Sequence, residues 1–344
     1  MSFLPTPWPL IQAPMAGVQD AQLALAVCEA GALGSLPAAM LSPEALEREL
    51  AVLQAAGRPY NVNFFTHTPP VAEPERMARW QALLAPYAQE LGLPPDAPTT
   101  AASRQPFGPQ AAEVLERFRP AVVSFHFGLP APELLARVKR LGALVLSSAT
   151  TLEEALWLQL NGADAVIAQG LEAGGHRGHF LSTDVSRQKP MLALVQELAG
   201  RLSVPVVAAG GMGQAAQVRA ALDQGAAAVQ VGTAFLLCPE ARTSALHRAR
   251  LQDPEAATEL TRLFSGGLAR GLVNRLMREL GPLNEAAPPF PLATAALAPL
   301  RAQAEALGRD DFTPLWSGTN RQGLRAVPAA EVVAALTAGL ERRG

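Results

Sequence analysis

The stretch Gln169-Gly170-Leu171-Glu172-Ala173-Gly174-Gly175-His176-Arg177-Gly178 combines the residue types of a catalytic loop. Paired glycines let backbone amides come close to a ligand, and the histidine adds a group that titrates near neutrality. Such a side chain suits general acid–base chemistry. A second cluster, Gly210-Gly211-Met212-Gly213, and a third pair, Gly232-Thr233, lie downstream. Amides at successive strand ends can cradle a phosphate. The three loops together predict an active site that joins a phosphorylated ligand to a histidine base.

The elements that must position these loops alternate as strand, turn and helix. Residues 165–168, 204–209 and 226–231 are short, mainly apolar runs, each ending at one of the glycine loops. Runs of this kind read as parallel strands buried on both faces. Residues 10–13, 32–36, 60–65, 121–125 and 144–147 bring the number of such runs to eight. Between them, Asp20 is a candidate N-cap for a helix over 21–30, and Ser42 with Pro43 opens another that runs to Ala56. Thr151 and Glu154 have the spacing of a capping box. The pattern predicts an α/β chain folded as a (β/α)8 barrel. The alternative, a doubly wound open sheet, more usually carries its phosphate loop after the first strand.

Two segments fall outside the alternation. Residues 69–107 carry many prolines and read as an insertion with one helix near 75–91. Residues 239–311 show helical patterns and no convincing strand, which predicts a mostly helical subdomain covering the active site. The barrel is then expected to comprise 1–238 and 312–344, with a last helix over 331–340.

Composition narrows the function. The 344 residues are 49% hydrophobic, enough for a barrel core and an accessory unit. A net charge of −2 offers no electrostatic footprint for nucleic acid or an anionic membrane. No apolar run approaches the roughly 18 residues of a spanning helix. No positive segment precedes the first apolar residues, so a cytoplasmic location is expected. Cys28 and Cys238 make no disulfide framework and read as packing residues.

Four segments occur in a telling order: Ala13-Pro14-Met15-Ala16-Gly17, Asn61-Val62-Asn63-Phe64-Phe65, the Gly-Gly-His loop, and Gly210-Gly211 followed by Gln230-Val231-Gly232-Thr233. That order resembles the nitronate monooxygenase family, formerly the 2-nitropropane dioxygenases. The resemblance resumes with residues 264–271 and with Leu315-Trp316-Ser317-Gly318, and residues 124–130 look like its class I branch. It implies a TIM barrel with a helical second domain and FMN as cofactor. It further implies that Met15, Asn63, Gln169, Gly174, Gly175, Gly210, Gly211, Gln230, Val231, Gly232 and Thr233 bind FMN, and that His176 is the catalytic base. The implied reaction oxidises alkyl nitronates, above all propionate 3-nitronate, with O2 to a carbonyl compound and nitrite. An FMN-dependent enoyl-ACP reductase II, which shares the Glu-Ala-Gly-Gly-His loop, and an NAD(P)H:quinone reductase are the alternatives. Class I members use tyrosines in the substrate pocket, whereas this chain has only Tyr60 and Tyr87.

Plainer roles compete at several positions. Gln169 ends a strand and could cap its own loop. Asn61 alternates with Asn63 and is expected to face solvent. His126 and His67 end strands and can line the pocket. No metal site is expected, because His179 near His176 lacks convergent carboxylates or cysteines. His247 reads as a solvated helix residue and Arg177 as a surface charge.

Overall fold

The computed structural model describes residues 3–94 and 104–342, so part of the proline-rich insertion lies outside the described residues. Nine strands run from the start of the chain to the third glycine pair. They are β1 (Leu10–Gln12), β2 (Ser35–Pro37), β3 (Asn61–Phe65), β4 (Val122–His126), β5 (Leu144–Ala149), β6 (Ala165–Gln169), β7 (Gly175–His176), β8 (Val206–Ala209) and β9 (Ala228–Val231). All but the two-residue β7 form one parallel sheet in the order β1-β9-β8-β6-β5-β4-β3-β2. Leu33, just before β2, closes it against β1: Leu33 N donates to Leu10 O and Gln12 N to Leu33 O, both at 2.9 Å. The chain is a (β/α)8 TIM barrel.

Alternation along each strand divides the side chains between two cores. Ile11, Val122, Leu146, Ile167 and Val207 point into the barrel. Val62, Phe64, Val123, Phe125 and Val145 point outward against helices, as do Val166, Ala168, Val206 and Val229 on the other half. Burying a Val, Leu, Ile or Phe side chain contributes about 1.5–3 kcal/mol, so shifting a strand by one residue would forfeit several such terms at once. Register therefore fixes which side chain reaches the carboxyl end. Asn63 and Phe65 do so from β3, His126 from β4, Ser148 from β5, Gln169 from β6 and Gln230 from β9, and all of them border one cavity.

Asn61 does not face solvent. It is buried, and its Nδ2 donates to Ser35 Oγ and Ser124 Oγ, both at 2.9 Å. In a closed parallel barrel both faces of every strand are covered, so the alternating polar residue meets the interior rather than water.

Local signals at the helix starts act as expected. Asp20 accepts from Gln22 N at 2.9 Å, and Ser42 accepts from Ala45 N at 3.2 Å. Thr151 caps its helix by accepting from Glu154 N, but the Glu154 carboxylate does not complete the box. It accepts instead from Thr150 N and Oγ1 (2.7 and 2.8 Å) and from Phe180 N (2.7 Å), tying the helix to the catalytic loop.

Residues 239–311 hold three helices, Ala245–Gln252, Arg275–Leu280 and Ala293–Ala306, joined by irregular segments, and two strands that the sequence does not announce. β10 (Thr258–Thr261) pairs antiparallel with β11 (Ala269–Leu272), and β11 pairs with β7, Ala269 opposite His176. Both are only four residues long, Thr-Glu-Leu-Thr and Ala-Arg-Gly-Leu, so their pairing with each other and, through β11, with the catalytic loop defines them rather than a sustained apolar alternation. The insertion helix Pro74–Glu90 joins this unit: Trp80, Leu84 and Tyr87 share an apolar cluster with Phe264, Leu297, Leu300 and Phe312.

Candidate active site

The carboxyl ends of the barrel strands open into a cavity of about 190 Å³. Met15, Asn63, Gln169, Gly174, Gly175 and His176 border it. So do Gly210, Gly211, Gln230, Val231, Gly232 and Thr233. The structure thus brings together every residue nominated to bind FMN or to act as the base.

The loop after β6 is held from beneath. Gln169 Nε2 donates to His176 O at 2.8 Å, and Gly178 N donates to Gln169 Oε1 at 2.7 Å, so both ends of this amide cap the loop. Arg177 is not a surface charge but fully buried. Its guanidinium donates to Gly170 O, Gln169 O and Gln188 Oε1 at 2.7, 2.8 and 2.9 Å. A buried cation is costly unless its donors are satisfied, and here three acceptors turn it into a clamp on the loop's backbone.

A strap formed by residues 315–320 crosses all three glycine loops. Gly318 N donates to Thr233 Oγ1, Thr319 N to Glu172 O and Asn320 Nδ2 to Gly211 O, at 3.0, 3.0 and 2.8 Å. A β-carbon on Gly174 would lie 2.5 Å from Gly318 N, so only glycine admits the strap this close. Among the described residues the amides of Gly211, Gly232 and Thr233 donate to no protein acceptor.

His176 Nε2 lies 2.8 Å from Ser265 Oγ, and its ring packs against Phe290 and Trp316 at centroid distances of 5.1 and 5.5 Å. Burial, then the nearby Arg104 charge and the other histidines, hold its pKa well below the ordinary 6.5. The ring is neutral at pH 7. His126 supports it from below: its Nε2 donates to His176 O at 3.1 Å, leaving Nδ1 to accept from Ser148 Oγ at 3.1 Å. His67 packs on Phe290 at 4.8 Å and is not among the residues bordering the cavity.

The nitronate monooxygenase family model matches residues 1–339. A nitronate monooxygenase of Pseudomonas aeruginosa is 43% identical over 95% of each chain. The chain belongs to the nitronate monooxygenase family. The crystal structure of a nitroalkane oxidase from Streptomyces ansochromogenes, 40% identical, superposes with a TM-score of 0.89 over 97% of this chain and 96% of that one. FabK from Thermotoga maritima, 23% identical with a TM-score of 0.70 over 96% of this chain and 92% of that one, shares the fold. The protein is accordingly an oxidoreductase of the nitronate-oxidising family.

In this nitronate monooxygenase family member several pocket residues escape the sequence motifs. His247 is buried and borders the cavity instead of facing water. Its helix carries no apolar stripe that would have revealed the buried face. Arg104 and Ser148 also border the cavity, as does Glu172, whose place between Gly170 and Gly174 was legible. Neither Tyr60 nor Tyr87 borders it. Among the described residues no cluster of three His, Cys, Asp or Glu side chains could hold a metal, and no helix is long and apolar enough to cross a membrane.

The chain has five histidines. Burial is the leading cause that lowers the pKa of each, taking His126 and His247 to about 4. Each stays neutral in the fold while its unfolded counterpart protonates below 6.5, so the unfolded chain binds more protons and stability falls as pH drops. His126 and His247 each contribute about 1.4 kcal/mol per pH unit between 6.5 and 4. The melting temperature should therefore fall steeply between pH 7 and 5. A flat profile would show that these histidines titrate normally in the fold.

Proposed function

We propose that the protein is an FMN-dependent nitronate monooxygenase that oxidises alkyl nitronates, with propionate 3-nitronate the favoured one, using O2 and releasing a carbonyl compound and nitrite. The observation that carries this reading is a neutral histidine at the wall of a cavity that three glycine loops and the amide side chains of Asn63, Gln169 and Gln230 also border.

The residues present fit FMN. The amides of Gly211, Gly232 and Thr233, which donate to no described acceptor, suit a phosphate dianion. Gln230 Oε1 is buried without a partner among the described residues and borders the cavity, where it can accept from the N–H edge of a flavin ring. Met15 lies across from Gly232 and offers a polarisable surface to the ring. FMN held by these residues would supply the redox chemistry between substrate and O2.

The chain's own contribution is placement and proton handling. Ser265 Oγ lies 3.4 Å from Gly267 O, to which it can donate while accepting from His176 Nε2–H. In that tautomer the lone pair sits on Nδ1, which has no partner among the described residues. A neutral nitroalkane must lose its α-proton first, and in this reading Nδ1 takes it. An anionic nitronate needs no such step. Phe65, Phe290 and Trp316 surround the imidazole and exclude water from that proton transfer.

The choice of electron donor tests the reading. Propionate 3-nitronate should support O2 uptake and nitrite release with no pyridine nucleotide present. NADPH, mixed anaerobically, should reduce the flavin slowly or not at all, since no Rossmann-type Gly-x-Gly-x-x-Gly unit with a downstream acidic residue occurs. Fast NADPH oxidation coupled to enoyl thioester reduction, without nitrite from nitronates, would assign the protein to the reductases.

A further inference from the structure

Arg104 borders the cavity beside His176 and follows the part of the insertion outside the described residues. Its Nη1 donates to Thr294 Oγ1 at 2.8 Å, and its Cζ lies 5.9 Å from the Phe290 ring centroid. That ring also packs on His176, at 5.1 Å. A single phenyl ring therefore separates the guanidinium from the imidazole. Among the described residues no carboxylate pairs with Arg104, and the charge that acts on it is another cation, Arg301. Its partial burial lowers its pKa, as expected for a cation with reduced access to water.

Among the described residues the rest of the cavity offers it no counter-ion. The histidines facing it are held neutral, and the one carboxylate among the bordering residues, Glu172, is occupied by Met191 N at 2.9 and 3.2 Å. A guanidinium presents five donors in a planar fork that matches a carboxylate bidentately. Thr294 engages one of them. A cation in low dielectric with donors to spare is a receptor for an anionic group of the ligand.

We propose that Arg104 receives a carboxylate at the far end of the nitronate substrate and so selects carboxylated nitronates over uncharged ones. The assignment rests on the nitronate reading above. It gives the two ends of the substrate separate hosts: the reacting carbon meets His176, and the tail carboxylate meets Arg104 across Phe290. The tail arrives with the charge that the cavity wall lacks.

The test compares propionate 3-nitronate with the nitronate of methyl 3-nitropropionate, which has the same chain but no tail charge, on flavin-loaded protein. The unmodified enzyme should show the higher kcat/KM for the acid, a preference that shrinks as salt is raised. Arg104→Met should lower kcat/KM for the acid about 10–100-fold, chiefly through KM, and change the ester by no more than about threefold. Arg104→Lys, which keeps the charge without the fork, should fall between. Equal losses on acid and ester in Arg104→Met would overturn the subsite and place the guanidinium at the reacting group. Should that variant not fold, the unmodified enzyme still decides, since equal efficiency on acid and ester overturns the subsite alone. No turnover of either compound overturns the nitronate reading, and the subsite with it.

Discussion

Replacing His176 with asparagine is expected to lower turnover of neutral nitroethane by about 10²–10⁴-fold, the usual contribution of a general base, while ethyl nitronate loses far less. The two compounds differ only in whether the α-proton is still in place. The substitution should leave the loop intact, because the backbone holds it. His176 O accepts from Gln169 and His126, Arg177 clamps the preceding carbonyls, and Gly175-His176 pairs with Arg270-Ala269. Only the imidazole and its contact with Ser265 are lost.

The pH dependence follows from the sign of the shift. A base works in its neutral form, and burial together with Arg104 holds the His176 pKa well below 6.5. For nitroethane, kcat/KM should therefore be level at and above pH 6.5 and decline only on the acid side of that value. Ethyl nitronate should lack that limb. Steady-state rates on both compounds across pH, for the unmodified protein and the His176→Asn variant, check it. Equal losses on the two substrates would mean that His176 positions substrate or flavin rather than accepting a proton.

Gly211→Asp is expected to yield largely flavin-free protein. Gly211 adopts φ +72°, and a β-carbon there would sit 3.3 Å from Glu172 Cβ. A left-handed conformation costs a non-glycine residue roughly 1–2 kcal/mol, least for Asn and Asp, which a barrel of this size tolerates. The added carboxylate would face both Glu172 and the dianion of a bound phosphate. Repulsion between charges in a low-dielectric pocket is far stronger than in water, so flavin content should fall at least about tenfold. Gly211→Ala separates the two causes, since it carries the same backbone strain without the charge and should retain most of the flavin. The readout is visible absorbance per mole of protein after purification, with a melting curve to confirm folding. Full occupancy in folded Gly211→Asp would remove the phosphate from this loop.

Barrel strands and glycine loops could be read directly because their signals are local. A buried parallel strand is an apolar run, and β6, β8 and β9 each lead into a glycine loop within one or two residues. Asp20, Ser42 and Thr151 stand at helix starts because an N-cap serves amides only two or three positions away. Glu154 marks the limit of that reasoning. Its neighbour cap is as expected, yet its carboxylate leaves for Phe180 N across the fold. The local box lost to a loop that needed a buried acceptor.

By itself the sequence determined the barrel, the three loops and the histidine, since periodicity, glycine placement and residue type are properties of neighbouring positions. Whether a side chain is buried, and what it meets there, is decided by distant segments. Arg177 became a clamp only because the β6 loop closes over it, and Asn61 turned inward only because the sheet closes at Leu33. β10 and β11 exist by pairing with one another and, through β11, with β7, so four residues apiece with no sustained apolar alternation could not announce them. Arg104 comes from the insertion, 72 positions before His176 in the numbering, and enters the site because Phe290 and Thr294, from a third region of the chain, hold it there. Charge is a property of one residue, but the company that charge keeps belongs to its surroundings, which exist only once the chain has folded.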